Sequence, residues 1–551
     1  MAVADTDTRN AGTRSTPNGH EPPATSRVTE TWHGPDGPVE HTATAEWVVL
    51  RERDEAIAEV FAVSYVVTDS DTGADDVADV DTPEATRAAP NDRPVTFVMN
   101  GGPGASSVYL HLGAVGPRRV AFAADGSTLP PPSRLVDNTE SWLAFTDLVF
   151  VDPVGTGFSR IIDKGATREP RGGADGSAGA GRGDGDTSNS ASTSSGADDS
   201  ADPRAFFGVE RDLDSLGEFV TRWLSLHGRW GSPVVVAGES YGGFRGAKLV
   251  RRLAEKFGVG LSGAVLISPA LEFATLDPTD YDVLAWVDLV PTMAAAAVHH
   301  GRSRTFAAGT ATDEVIDGAR DFATTRLASA LIRGAGMPGD ERDAVLDELA
   351  DLIGLDPALV RRSEGRIGMQ RFARELLRDQ GRTLGLYDAS TSVRDPFPDR
   401  EAFEGPDPSL AGIDRVFGAG INQRLRGELG VEVDRPYELL SLDVNKRWKI
   451  DMDRHALEGP IGATDDLRHG MALDPSVEVM INHGHFDLVT PFASSDRLRN
   501  LMRLDPDTAQ RIHSHHFDGG HMFYAWEDSR VGFRDTIAAF YDAAVRIPPP
   551  D

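Results

Sequence analysis

Val234-Val-Val-Ala-Gly-Glu-Ser240-Tyr-Gly-Gly243 is the stretch on which the reading of this chain turns. Three valines and an alanine predict a buried strand, Gly238-x-Ser240-x-Gly242 a sharp turn, and the residues beyond it a helix. A turn of this kind holds its serine exposed on cramped backbone, and a β-carbon at Gly238 or Gly242 is expected to collide with the neighbouring strand or helix. Ala247, Val250, Leu253, Ala254 and Phe257 recur at three- and four-residue spacing before Gly258 ends the pattern. The N-terminus of that helix is expected to point at Ser240.

The same strand-to-glycine logic occurs upstream, in Val95-Thr-Phe-Val-Met-Asn100-Gly-Gly102-Pro-Gly104. A phosphate-binding loop would need Lys-Ser/Thr after the glycines, whereas Ala105-Ser106-Ser107 follow, so the turn reads as a source of backbone N–H groups for an oxyanion. Further apolar runs at Leu148–Val151, Ala264–Ile267 and Val477–Ile481 are each followed by turn residues and a helical period, the pattern of a mostly parallel sheet in an α/β fold. Residues 42 to 67 read as an antiparallel entry meander, and Asp69–Asp92 as a solvated loop.

The expected organisation is a disordered tail over 1–31, a first core segment over 32–276, a helical lid over 277–434 and a second core segment over 435–551. Helical patterns such as Glu341–Leu355 and Arg366–Leu377 mark the lid. Gly165–Arg204 contains no Val, Ile, Leu, Met, Phe, Trp or Tyr, and reads as a disordered surface insertion at 165–204 inside the core.

A serine hydroxyl is a poor nucleophile until a base takes its proton, so a histidine and an acid are needed. Candidates follow in the order Ser, Asp, His: Asp487 in Asn482-His-Gly-His-Phe-Asp487-Leu-Val-Thr-Pro491, and His521 in Asp518-Gly-Gly-His521-Met. His483 and His485 before Asp487 superficially match a metal-hydrolase pattern, but Leu488 stands where the next histidine would be. His513, His515 and His516 read as surface or packed histidines and His299 and His300 as helix-end residues, so no metal and no cofactor is expected. Trp142, Trp223, Trp230 and Trp448 read as packing residues, and Asp152 as a hydrogen-bonded structural acid.

Composition narrows the partners. Lys and Arg number 55 against 86 Asp and Glu, a formal charge of −31, so the surface should repel phosphate backbones and anionic lipid. No nucleic-acid or membrane partner is expected. Only five cations are lysines, which suits solubility in concentrated salt, with an Arg- and Asp-rich codon bias as the alternative. There is no cysteine, which excludes disulfide scaffolds, Cys-zinc sites and cysteine nucleophiles. The start of the chain lacks a basic and apolar leader, so the expected location is cytoplasmic.

Asn100-Gly-Gly-Pro-Gly104, Val151-Asp-Pro-Val-Gly-Thr-Gly-Phe-Ser159, Gly238-Glu-Ser-Tyr-Gly-Gly243, Asp487 before Thr490-Pro491, and Gly520-His521-Met522 together resemble the serine carboxypeptidase family. The resemblance implies an α/β-hydrolase fold with an inserted helical lid and an acyl-enzyme mechanism on peptide substrates. It implies Ser240 as nucleophile, His521 as general base and acid, and Asp487 as its orienting partner. The backbone N–H groups of Gly102 and Tyr241 would hold the oxyanion, and Asn100 and Glu239 the substrate carboxylate.

One position departs from the family pattern. Members of the carboxypeptidase Y type carry a second glutamate where Ala114 stands here, so the acid partner of Glu239 is missing, and a weaker preference for free C-termini or a different pH optimum is expected. An esterase or acyltransferase on the same triad, and a catalytically silent binding protein on the same fold, stay open at this stage.

Overall fold

The structure is a computed structural model that describes residues 20–68, 93–162, 206–276, 278–400, 403, 405–449 and 461–545. The expected insertion at 165–204 and the loop at Asp69–Asp92 lie outside the described residues.

Nine strands run side by side: β1 (Ser26–Gly34), β2 (Gly37–Glu52), β3 (Glu55–Val67), β4 (Val95–Met99), β5 (Asp147–Val151), β6 (Val234–Glu239), β7 (Gly263–Ile267), β8 (Glu478–Gly484) and β9 (Ile512–Phe517). Their order is β1-β2-β3-β5-β4-β6-β7-β8-β9, with a short strand at Arg160–Ile161 pairing β3 off this path. The first three strands and their junction to β5 are antiparallel, and every pair from β5 to β9 is parallel. This is the α/β-hydrolase fold. Strands β4, β5 and β7 are buried along their whole length, because helices and loops pack on both faces and form two separate apolar clusters.

The sheet begins earlier than the apolar count suggested. β1 begins at Ser26 and pairs residue by residue with β2, from Ser26 with Ala45 to Gly34 with Gly37. Its alternate residues are half-exposed, so few apolar side chains are required. Trp32 is buried and donates from Nε1 to the Asn138 carbonyl at 2.8 Å, and Glu30 pairs with Arg424.

A third apolar cluster runs through the helical segment from Val287 to Ala389, along helices such as Leu284–His299 and Gly339–Ile353, and takes in Phe486 and Leu488 beside Asp487. That segment is not free of strands: Arg382–Leu384 and Ser392–Arg394 form a small antiparallel hairpin. Helix Ile413–Asn422 and the turn after it pack into the cluster beneath β3, β4 and β5, not into the helical cluster. Their apolar face, with Val416, Phe417 and Ile421, lies over the turn that follows the upstream glycine loop. Among the described residues, no helix is long and apolar enough to cross a membrane.

Register places the carboxyl ends of four strands at one level. Met99 pairs with Gly238, Gly238 with Leu266, Glu239 with Ile267, and Ile267 with Asn482. The residues just beyond these ends, Asn100, Ser240, Ser268 and the loop to Asp487, therefore gather at one sheet edge, as ligand-binding loops do in α/β sheets.

Candidate active site

Ser240 joins β6 to helix Tyr241–Arg252 with φ +62° and ψ −122°, a conformation that side-chain-bearing residues rarely adopt. It is held there by its own N–H donating to the Ile267 carbonyl at 2.9 Å, and by its carbonyl accepting from Gly243 and Ala270. The glycines are obligatory for the expected reason. A β-carbon on Gly238 would collide with the Gly242 carbonyl, and one on Gly242 would sit 2.7 Å from the Met99 carbonyl oxygen. Gly238→Ala should therefore destabilise the fold by about 3 kcal/mol, read as a lowered denaturant midpoint.

The upstream loop lies directly against this turn. A β-carbon on Gly101 would collide with the Tyr241 backbone nitrogen and approach the Gly242 nitrogen to 2.8 Å, so only glycine lets loop and helix N-terminus meet. Gly102 is exposed. Its N–H and that of Tyr241 thus belong to two segments in backbone contact, at the positive end of a twelve-residue helix. Asp152 braces the loop from below: its Oδ1 accepts from the Ser107 N–H at 2.9 Å, the Ser107 hydroxyl at 2.8 Å and the Tyr437 hydroxyl at 3.1 Å. Burial pushes its pKa up to about 6, with these donors pulling the other way.

On the other side of β7 stands the acid and histidine pair. Asp487 is 0% exposed and His521 4%. His521 Nδ1 donates to Asp487 Oδ2 at 2.6 Å, which fixes the tautomer and leaves Nε2 as the nitrogen free to act as a base. Asp487 is itself held by the N–H groups of Val489 and Thr490 on Oδ1, at 2.9 and 3.1 Å, and by the Thr490 hydroxyl on Oδ2 at 2.6 Å. Burial disfavours the imidazolium, but Asp487 and then Glu239 favour it more, so the His521 pKa lies above its ordinary value.

Three residues that sequence reasoning did not single out complete the setting of His521. Ser268 donates its hydroxyl to the His521 carbonyl at 2.9 Å. Tyr387, in the loop of the small hairpin, accepts the His521 N–H on its carbonyl at 2.6 Å and sets its ring edge-on to the imidazole at 5.2 Å. Thr490 was legible only as part of a Thr-Pro pair. The hairpin residues carry no local signal, because their role depends on how the helical segment folds back onto the core.

Glu239 is 4% exposed and lies on the Nε2 side of His521, its Oε1 at 4.0 Å from that nitrogen. Its Oε2 accepts from Asn100 Nδ2 at 3.1 Å and from the Tyr524 hydroxyl at 2.6 Å. Asn100 is fixed in turn by the Leu110 N–H on Oδ1 at 3.0 Å. Ser240, Asn100, Glu239, Asp487 and His521 thus share one site. Ser240 Oγ makes no hydrogen bond among the described residues.

Residues 83–275 match the serine carboxypeptidase family. The matched segment contains Asn100, Gly102, Glu239, Ser240 and Tyr241, and ends before Asp487 and His521, whose placement comes from the geometry above. Within it the chain is similar to serine carboxypeptidase-like 7 of Arabidopsis thaliana, 27% identical over 191 residues, or 33% of this chain and 34% of that one. It is also similar to serine carboxypeptidase-like 5 of the same plant, 28% identical over 193 residues, or 34% and 35% of the two chains. The chain therefore matches about a third of the length of these relatives. Among solved structures, a proline iminopeptidase of Mycobacterium smegmatis aligns over 91% of this chain and 99% of its own, at 13% identity and a TM-score of 0.32.

The other histidines are engaged separately. His483 Nε2 meets Ser495 Oγ at 2.8 Å, His485 meets Asp518 at 3.1 Å, His513 meets Glu478 at 2.9 Å and His516 meets Asp496 at 3.2 Å. Among the described residues no three His, Asp or Glu side chains converge as metal ligands. His300 ties the helical segment to the hairpin by a contact of its ring with the Ala389 carbonyl at 2.8 Å. Trp142 and Trp223 are buried in the core, Trp230 is 51% exposed, and Trp448 stands edge-on to Tyr241 at 5.3 Å.

Proposed function

We propose that the chain is a serine-type carboxypeptidase that cleaves peptide bonds near free C-termini through an acyl-enzyme. The observation that carries this reading is the buried 2.6 Å pair of His521 Nδ1 and Asp487, set at the same sheet edge as Ser240 on its strained turn. Ser240 Oγ attacks the scissile carbonyl carbon while His521 Nε2 takes its proton, and Asp487 balances the imidazolium. The N–H groups of Gly102 and Tyr241 receive the oxyanion. As the C–N bond breaks, His521 returns the proton to the leaving amine, and water then enters by the same route to release the acyl group and regenerate Ser240. No step requires a cofactor.

In this reading Asn100 and Glu239 meet the leaving side of the substrate, which is supported by Glu239 immediately preceding Ser240 with its Oε1 4.0 Å from Nε2. The test is a panel of N-blocked dipeptides, their amides and a chromogenic ester, with fluorophosphonate labelling of the serine. Cleavage of dipeptides supports the peptidase, and cleavage of the ester alone replaces it with an esterase. Failure to label identifies a silent binding protein. Because the His521 pKa is raised and only its neutral form accepts the serine proton, kcat/KM should fall as pH falls through a value above that of ordinary histidine. A pH profile on the ester, which has no terminal carboxylate, reads this limb directly.

A further inference from the structure

Ala114, which stands where the resemblance implies a second glutamate, is 2% exposed. A tyrosine occupies the neighbourhood instead. A β-carbon on Gly113 would lie 2.7 Å from Tyr524 Cε2, so the ring of Tyr524 packs on the turn that carries Ala114. Its hydroxyl reaches Glu239 Oε2 at 2.6 Å, and Asn100 Nδ2 donates to that same oxygen. We propose that Tyr524 is a positioning residue that reserves Glu239 Oε1 for the substrate and so decides whether the leaving side takes a free carboxylate or a carboxamide. This rests on the acyl-enzyme reading above.

The reasoning is one of occupancy. Asn100 Nδ2 can only donate, so a proton on Oε2 would oppose its hydrogen and would turn the Tyr524 hydroxyl from donor to acceptor. The carboxyl proton therefore belongs on Oε1, the oxygen turned toward His521 Nε2. Protonated, Oε1 donates to a terminal carboxylate; ionised, it repels a carboxylate and accepts from the N–H of a carboxamide. The groups within electrostatic reach of Glu239 are His521 and Asp487 from the loops beyond β9 and β8, Tyr524 beside it, Tyr109 after the glycine loop and Tyr387 from the hairpin. Burial raises the Glu239 pKa, His521, Tyr524 and Asn100 pull it back, and the balance stays above the ordinary value. Removing the Tyr524 hydroxyl takes away a donor to the ionised carboxylate, which raises it further.

The experiment measures kcat/KM for one N-blocked dipeptide as the free acid and as its carboxamide across pH, and follows their ratio. The ratio cancels the titration of His521 and any inactive fraction of enzyme. In the wild type the acid-to-amide ratio should fall with rising pH, by up to about tenfold per unit as one proton leaves. Tyr524→Phe should move that fall upward by about one pH unit, the loss of one hydrogen bond to a charged group. Tyr524→Leu, which also lacks the hydroxyl, should shift it in the same direction if the phenylalanine variant folds poorly, and Glu239→Gln should flatten it. Cleavage of both substrates with a flat wild-type ratio, or with an unshifted ratio in the hydroxyl-free variants, overturns the inference alone. Cleavage of neither overturns the carboxypeptidase reading and this inference with it.

Discussion

Ser240→Ala is expected to lower kcat by roughly 10⁴- to 10⁶-fold on every substrate the chain hydrolyses, and to abolish fluorophosphonate labelling. The size follows from the mechanism: without Oγ no acyl-enzyme forms, and what remains comes from binding and the oxyanion donors alone. Stability should stay within about 0.5 kcal/mol of the parent, because Oγ makes no hydrogen bond among the described residues and alanine keeps the same backbone. Loss of turnover at an unchanged unfolding midpoint is the result to look for. Substantial residual turnover would mean that another nucleophile carries the reaction.

Asp487→Asn should cost roughly 10⁴-fold in kcat with little change in KM. Asp487 Oδ1 faces two backbone N–H groups, which only donate, while Oδ2 faces His521 Nδ1 and the Thr490 hydroxyl, which can also donate to the Ser268 carbonyl. An amide would turn one of its own N–H groups toward a donor, and the arrangement that relieves this makes Nδ1 the acceptor. Nε2 then carries the proton and cannot take one from Ser240. Raising the pH should not restore activity, since the defect is in the tautomer and not in the charge. Recovery at high pH would show that Asp487 acts only through the imidazolium.

Much of this arrangement was legible in the sequence, for local reasons. The strand at Val234, the turn at Ser240 and the helix after it follow from apolar runs, glycine and helical spacing within twenty residues. The same holds for β4 and its glycine loop. β1 was missed because a half-exposed edge strand needs few apolar residues, and Glu30 and Trp32 find their partners, Arg424 and Asn138, far along the chain. The small hairpin was missed because three-residue strands carry too little periodicity to register.

What the sequence determined by itself was the chemistry available: a serine on a strained turn, an acid and a histidine each beyond a strand, no cysteine, and a surplus of acids over bases. Those features depend on residue type and short-range spacing. What only the tertiary structure decided was which nitrogen of His521 faces Asp487, that Tyr387 reaches back from the helical segment to hold it, and that the Tyr524 hydroxyl meets Glu239. These contacts join positions from 34 to 285 residues apart, and only the packing of the loops at one sheet edge brings them within hydrogen-bonding distance.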